Sequence, residues 1–282
     1  MVERRSFLSR LTPHLILALG VLILVFPVYL AFVASTWDPA TIINGQLGLA
    51  PGPHLIENYA RVLSVGSSTA REPVVQMLAN SFVLAMGVAL GKIFISILSA
   101  FALIFYRFPF RQTIFWIIFI TLMLPVEVRI FPTYKIVADL GLLNSYGGLI
   151  TPLIASATGT LLFRQFFRTV PDELVEASKI DAAGPYQFFK DTLLPLSRTT
   201  MAALFVIQFI YGWNQYLWPL LITTTESMQT IVIGIRKIIT TQDALTEWQL
   251  AMATSVLALL PPVIVVVAMQ KLFVKGLVET EK

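Results

Sequence analysis

Apolar stretches alternate with polar intervals along the whole chain, at about 15–34, 77–106, 113–134, 145–163, 199–221 and 251–272. Each approaches or exceeds the ~20 residues that a helix needs to cross a hydrocarbon core. The pattern predicts an all-α membrane protein with six transmembrane helices in a single domain, 1–282. Arg4, Arg5 and Arg10 precede the first stretch. Its length, and the lack of an Ala-x-Ala site before Trp37, favour a retained helix over a cleaved signal peptide. The second stretch carries Gly87, Gly91, Ser96, Ser99 and Ala100, small residues suited to close helix packing. The third meets Pro125 and is expected to bend there and continue, and the last has Pro261 and Pro262 in its middle. The polar intervals 36–76 and 223–250 hold two helix-like pieces, Ile56–Leu63 and Ile231–Ile239.

Composition agrees with this picture. Hydrophobic residues make up 56% of the chain, charged residues 13%, and the mean hydropathy is +0.78, outside the range of soluble domains. There is no cysteine, so disulfides and thiolate metal sites are excluded. His14 and His54 stand far apart and suggest no metal site. Of the 20 Lys and Arg, 13 fall in segments 1–12, 106–112, 164–198 and 270–282, and 6 fall in 36–76, 124–144 and 223–250. By the positive-inside rule, both termini are expected in the cytoplasm. The basic excess therefore reflects topology rather than nucleic-acid binding.

In the second half, the polar interval 171–195, PDELVEASKIDAAGPYQFFKDTLLP, has apolar runs of membrane length on both sides. It reads as two short helices. Thr169 is a candidate cap, Asp172 and Glu173 complement the first-turn dipole, and Gly184 is expected to end the first helix before Pro185 starts the second. Spacing alone leaves a surface linker and a docking element equally open. The residues Glu176-Ala177-Ser178, Asp181-Ala182 and Leu194-Pro195 resemble the EAA loop of ABC-importer permeases. Three positions depart from that pattern: Ser178 for the second Ala, Ala182 for the usual Gly, and Thr192 for a common Ile. A Cβ at a turn needing positive φ would be strained, so Gly184 is expected to supply that turn instead of Ala182. Trp213-Asn214, with Leu217, Pro219 and Leu220, is similar to the WNxxLxPL signature of the carbohydrate-uptake branch of these permeases.

The resemblance implies a type I ABC-importer permease fold in a bacterial inner membrane, with 171–195 as a cytoplasmic coupling helix. Glu176, Ala177, Ser178, Asp181, Ala182, Gly184, Leu194 and Pro195 would then meet a separate ATPase. The implied partners are a homologous permease subunit, an ATPase dimer, a periplasmic substrate-binding protein and membrane lipid. ATP and magnesium would sit on the ATPase, with no cofactor on this chain and no enzymatic activity of its own. The implied cargo is sn-glycerol 3-phosphate together with glycerophosphodiesters. A neutral sugar or polyol is the alternative, and a self-sufficient secondary carrier the more distant one.

The residues bear on energy source and cargo independently. Gly87 to Lys92 is one residue short of a P-loop, lacks the Ser or Thr that holds magnesium, and lies inside an apolar run. Helix packing explains it better. An ion-coupled carrier needs carboxylates at membrane depth, and Glu127, beside Pro125, is the nearest acid. Lys92, Glu127 and Arg129 are candidates for the substrate path. Lys92 would otherwise snorkel or pair structurally, and Arg129 would otherwise pair with Glu127. Trp213, Asn214 and Trp218 are further candidates, with an interfacial aromatic belt as their bland explanation.

Overall fold

The computed structural model describes residues 7–68, 70–124, 126–240 and 246–278. Every regular element among the described residues is helical. They group into two compact units, one drawn from Met1–Val75 and Gly234–Leu259, the other from Gln76–Ile233 and Leu260–Lys282. All three internal boundaries fall within helices rather than in linkers.

The first unit contains α1 (Phe7–Ala34), α2 (Pro39–Ile43) and α3 (Leu55–Ser64). Along α1, large apolar side chains stay exposed on every side, with Leu24 at 76%. Such a surface demands lipid or protein rather than water. The turn after α1 is closed by Asn58, whose Nδ2 donates to the carbonyls of Ser35 (2.9 Å) and Trp37 (3.0 Å). Asp38 caps α2 by accepting from the Thr41 amide at 3.0 Å. Glu247 accepts from Arg61 at 2.6 Å and from the Ser68 amide and hydroxyl at 2.8 Å each, which ties the 61–68 segment to the start of the last helix.

The second unit begins in α4 (Val74–Phe105), followed by α5 (Arg111–Ile120), α6 (Val126–Asp139), α7 (Tyr146–Ile150) and α8 (Ala157–Phe167). The glycines of α4 act as the packing reading expects: a Cβ on Gly87 would strike Ile150, and one on Gly91 would strike Ile154. Two short helices, α9 (Asp172–Ile180) and α10 (Pro185–Phe188), lead through a π-turn (Phe189–Leu193) into α11 (Leu194–Leu196). Then come α12 (Arg198–Trp213), α13 (Leu217–Ile222), α14 (Ile231–Ile239) and α15 (Trp248–Val278).

Among the described residues, three helices are long and apolar enough to cross a membrane: Leu11–Ala34, Val74–Phe105 and Trp248–Leu272. Counting each bent helix pair as one span raises the number to five among the described residues. The expected third span, 113–134, is not one helix. The chain leaves α5 through a 3-10 turn, Thr121–Met123, and Leu124 is extended (φ −82°, ψ 115°), as the residue before a proline must be. Pro125 itself lies outside the described residues. The fourth expected span is bent by 48° between Leu153 and Ala157. The fifth ends early, at Trp213, because Pro219 cannot donate to the carbonyl four residues back and so starts a new short helix instead. By contrast, α15 runs unbroken through Pro261 and Pro262.

Candidate functional site

Two constructions in the second unit bear on function. The first is the 171–195 segment. Pro171 occupies the N-cap of α9 without a side-chain hydrogen bond, while Thr169 turns back and donates to the Phe166 carbonyl at 2.7 Å. Thr169 therefore finishes α8 and does not cap α9. At the other end, the Ala183 amide donates to the Ser178 carbonyl (2.8 Å) and the Ala182 amide to the Lys179 carbonyl (3.1 Å). This pair of bonds is a Schellman closure, which needs one left-handed residue. That residue is Ala182, at φ 55°, and not Gly184, which is extended at φ −69° and caps α10. The expectation for Gly184 is thus corrected: hydrogen-bond register fixes the turn at 182, so the alanine there carries the strain.

The inner side of the segment is anchored by apolar contact. Phe188 and Leu193 are buried with Phe163, Phe167 and Leu204. Phe188 meets Phe105 edge-on at 5.4 Å, and Phe189 meets Phe101 at 5.0 Å. The outer side is open. Glu176, Ala177, Asp181 and Ala182 are exposed, and so are Ile180 (84%) and Tyr186 (75%). Leu194 is half-buried against the anchoring cluster, and Pro195 is exposed. Ser197, fully buried, donates to the Leu193 carbonyl at 2.6 Å where the chain bends by 70° into α12.

The second construction is a cavity of about 500 Å³ between α4, the end of α5, α6, α8 and α12. Lys92 and Arg129 both line it, together with Ser99, Thr121, Thr158 and Thr160. Lys92 is only 7% exposed. Its Nζ donates to Gln208 Oε1 at 2.8 Å and lies 3.7 Å from the centroid of the Tyr211 ring. Gln208 and Tyr211 stand three residues apart on α12, one helical turn, so both face Lys92 from the same side. These partners are neutral: a dipole and a ring quadrupole hold the ammonium without cancelling its charge. No carboxylate lines the cavity among the described residues. Glu127, expected to pair with Arg129, has a side chain outside the described residues.

The aromatic candidates go elsewhere. Trp213 is buried and stacks on Phe209 at 5.9 Å. Trp218 is buried and its indole N–H is shared by the Gly148 and Leu149 carbonyls, each at 3.2 Å. Asn214 is exposed and caps the end of α12 through its backbone. The structure thus brings Lys92 and Arg129 together and places Trp213, Asn214 and Trp218 outside the lining of this cavity. Gln208 was missed in the sequence. The signal was its amide, alone within the apolar run ALFVIQFIY.

A helical membrane protein with a cation-lined cavity and a projecting polar elbow belongs to a recognisable class. Residues 92–279 match the family described as binding-protein-dependent transport system inner membrane component, and the chain belongs to that family. More particularly, it is similar over its full length to proteins named sn-glycerol-3-phosphate transport system permease protein UgpE. The Rhizobium meliloti protein is 57% identical, the Brucella melitensis one 56% and the Yersinia pestis one 54%, each with 100% of both chains covered. A chain in the crystal structure of a bacterial ABC transporter involved in the import of the acidic polysaccharide alginate shares the fold. Its TM-score is 0.80 at 21% identity, with 96% of this chain and 98% of that chain covered. The chain is therefore a multi-pass membrane permease of the UgpE type.

Proposed function

We propose that this chain is one of two permease subunits of an ATP-driven importer for sn-glycerol 3-phosphate, with glycerophosphodiesters as secondary cargo. The single observation that carries the cargo assignment is the cavity lined by both Lys92 and Arg129, with no carboxylate lining it among the described residues. A phosphate monoester supplies the missing negative charge. Arg129 offers it a planar fork and Lys92 a point charge, while the Thr and Ser hydroxyls suit a glycerol moiety. The names of the relatives point to the same cargo.

In this reading the six expected spans place both termini in the cytoplasm, with three of the spans broken or bent as described. The 171–195 elbow docks on an ATPase subunit through Glu176, Ala177, Ser178, Asp181 and the protruding Ile180 and Tyr186. The other partners are a UgpA-type permease and a periplasmic binding protein, the latter engaging the 223–250 segment. ATP and magnesium reside on the ATPase pair. Closure of that pair moves the elbow and opens the cavity outward, and hydrolysis resets it.

Uptake of labelled sn-glycerol 3-phosphate by cells carrying the full transporter tests this. Lys92→Gln and Arg129→Gln each remove a charged partner worth ~1.5–3 kcal/mol, which corresponds to about a 10- to 100-fold loss of uptake at low substrate. Unchanged uptake in both variants refutes the phosphate role. Charge-independent loss, shared by Lys92→Arg, means that the cargo is neutral and the lysine only packs.

A further inference from the structure

A second cationic cavity lies away from the first, where the end of α4, the start of α5 and the C-terminal turns of α8 meet. It encloses about 230 Å³, well above the ~30 Å³ share of one water molecule. Arg111, Arg164 and Arg168 line it, with Gln112 beside them and Leu103, Ile104 and Phe115 as an apolar floor. Arg164 is half-buried, with its Cζ 3.9 Å above the centre of the buried Phe115 ring. Arg111 spends one N–H on the Tyr106 carbonyl at 3.3 Å. Among the described residues no acid lines the cavity and no ion pair involves these arginines. Three guanidiniums around one opening repel each other unless an anion joins them, and a helix end supported by a ring face holds Arg164 in place for it.

The neighbouring turn narrows the choice of anion. Phe110 is 76% exposed and sits at φ 62°, a left-handed conformation that a bulky residue adopts at a cost of ~1–2 kcal/mol. Tyr106, at the other end of the turn, is 44% exposed. Aromatic side chains held outward beside arginines at a helix terminus are the arrangement found at a membrane–water boundary. A soluble anion has no use for them. We propose that Arg111, Arg164 and Arg168 form a recognition site for the phosphate of an anionic phospholipid, with Phe110 and Tyr106 set in the headgroup layer around it. The geometry of the site is independent of the cargo proposal; with the orientation proposed above, the lipid is one of the cytoplasmic leaflet.

The test counts lipids bound to the purified, fully assembled transporter by native mass spectrometry, with phosphatidylglycerol and phosphatidylcholine as probes. Wild-type protein should retain phosphatidylglycerol in preference to phosphatidylcholine. Arg168→Gln and Arg111→Gln should each weaken that retention about tenfold, the loss of one charge-assisted contact. Arg164→Gln also removes the ring contact, so Arg164→Lys accompanies it and should keep most of the binding. Lys92→Gln, in the other cavity, should leave retention unchanged whatever it does to uptake. Equal retention of both lipids, or an unchanged preference in the arginine variants, overturns the proposal. Displacement of the lipid by millimolar inorganic phosphate also overturns it, since the site would then serve a soluble anion.

Discussion

Ala182 carries a backbone strain that one substitution should relieve. At φ 55° it pays the steric penalty of a left-handed residue with a Cβ, ~1–2 kcal/mol. Its side chain is exposed, so Ala182→Gly removes no buried contact. Glycine gives back ~0.4–1 kcal/mol through its freer unfolded chain. The net expectation is a stabilisation of the α9 terminus by ~0.5–1 kcal/mol, about a two- to fivefold shift in the local opening equilibrium. The amides of Ala182 and Ala183, which close the turn onto Lys179 and Ser178, report on that opening directly. Hydrogen exchange of the 177–183 amides in the reconstituted transporter should slow by that factor in Ala182→Gly. Ala182→Val should exchange faster, because a β-branched residue fits the left-handed region worse than alanine. Gly184→Ala should change nothing, since Gly184 is extended and a Cβ there meets open space. Equal protection in Ala182→Gly and the parent, or a larger effect at Gly184, would refute the assignment of the strained residue.

The other expectations concern packing and clamps. Gly212→Ala places a Cβ 2.8 Å from the Ala85 Cα, which is backbone-carried and cannot swing away, so thermal unfolding of the purified transporter should report a loss of ~1–3 kcal/mol. Asn144, at φ 52°, accepts from the Thr224 and Thr225 amides at 2.7 and 3.0 Å; Asn144→Ala should cost ~1–2 kcal/mol by the same measurement, and Asn144→Gly less, because glycine keeps the turn. Glu247→Gln weakens the bond to Arg61 and the two from Ser68, and protease cleavage within 61–68 should become faster.

Apolar run length made α1, α4 and α15 legible, and prolines marked the disturbed places. Their consequences differed for reasons the sequence does not carry. Pro261 and Pro262 sit in an unbroken helix, whereas Pro219 forces a restart after Asn214. Neighbouring structure decides which outcome holds. Likewise, the sign of φ at 182 followed from which amides close the turn, a register effect invisible to residue preferences. The pairing of Lys92 with Gln208 spans 116 positions, and nothing local to either residue announces it. Trp213 and Trp218 looked like cargo contacts because aromatic density is ambiguous; burial assigns them to packing.

The two constructions share one helix, and that joins the proposed coupling to the proposed cargo site. The elbow is clamped to the aromatic cluster by Phe188, Phe189 and Leu193, so a push on Ile180 or Tyr186 cannot be absorbed by free side-chain motion. It reaches α12 through the bend at Ser197. From Arg198 to Gln208 is ten residues of helix, ~15 Å at 1.5 Å per residue, with no proline or glycine in between to take up the movement. Gln208 and Tyr211 are the two groups that hold the Lys92 ammonium. Displacing α12 along its axis or rotating it therefore shifts the hydrogen bond and the ring face together, and alters the charge offered to a bound phosphate. A single helix thereby links the elbow's position to the anion affinity proposed for the cavity. Softer residues between them, as in Ala202→Gly with Ala203→Gly, should leave ATP hydrolysis intact while uptake falls; unchanged uptake in that variant refutes transmission through α12.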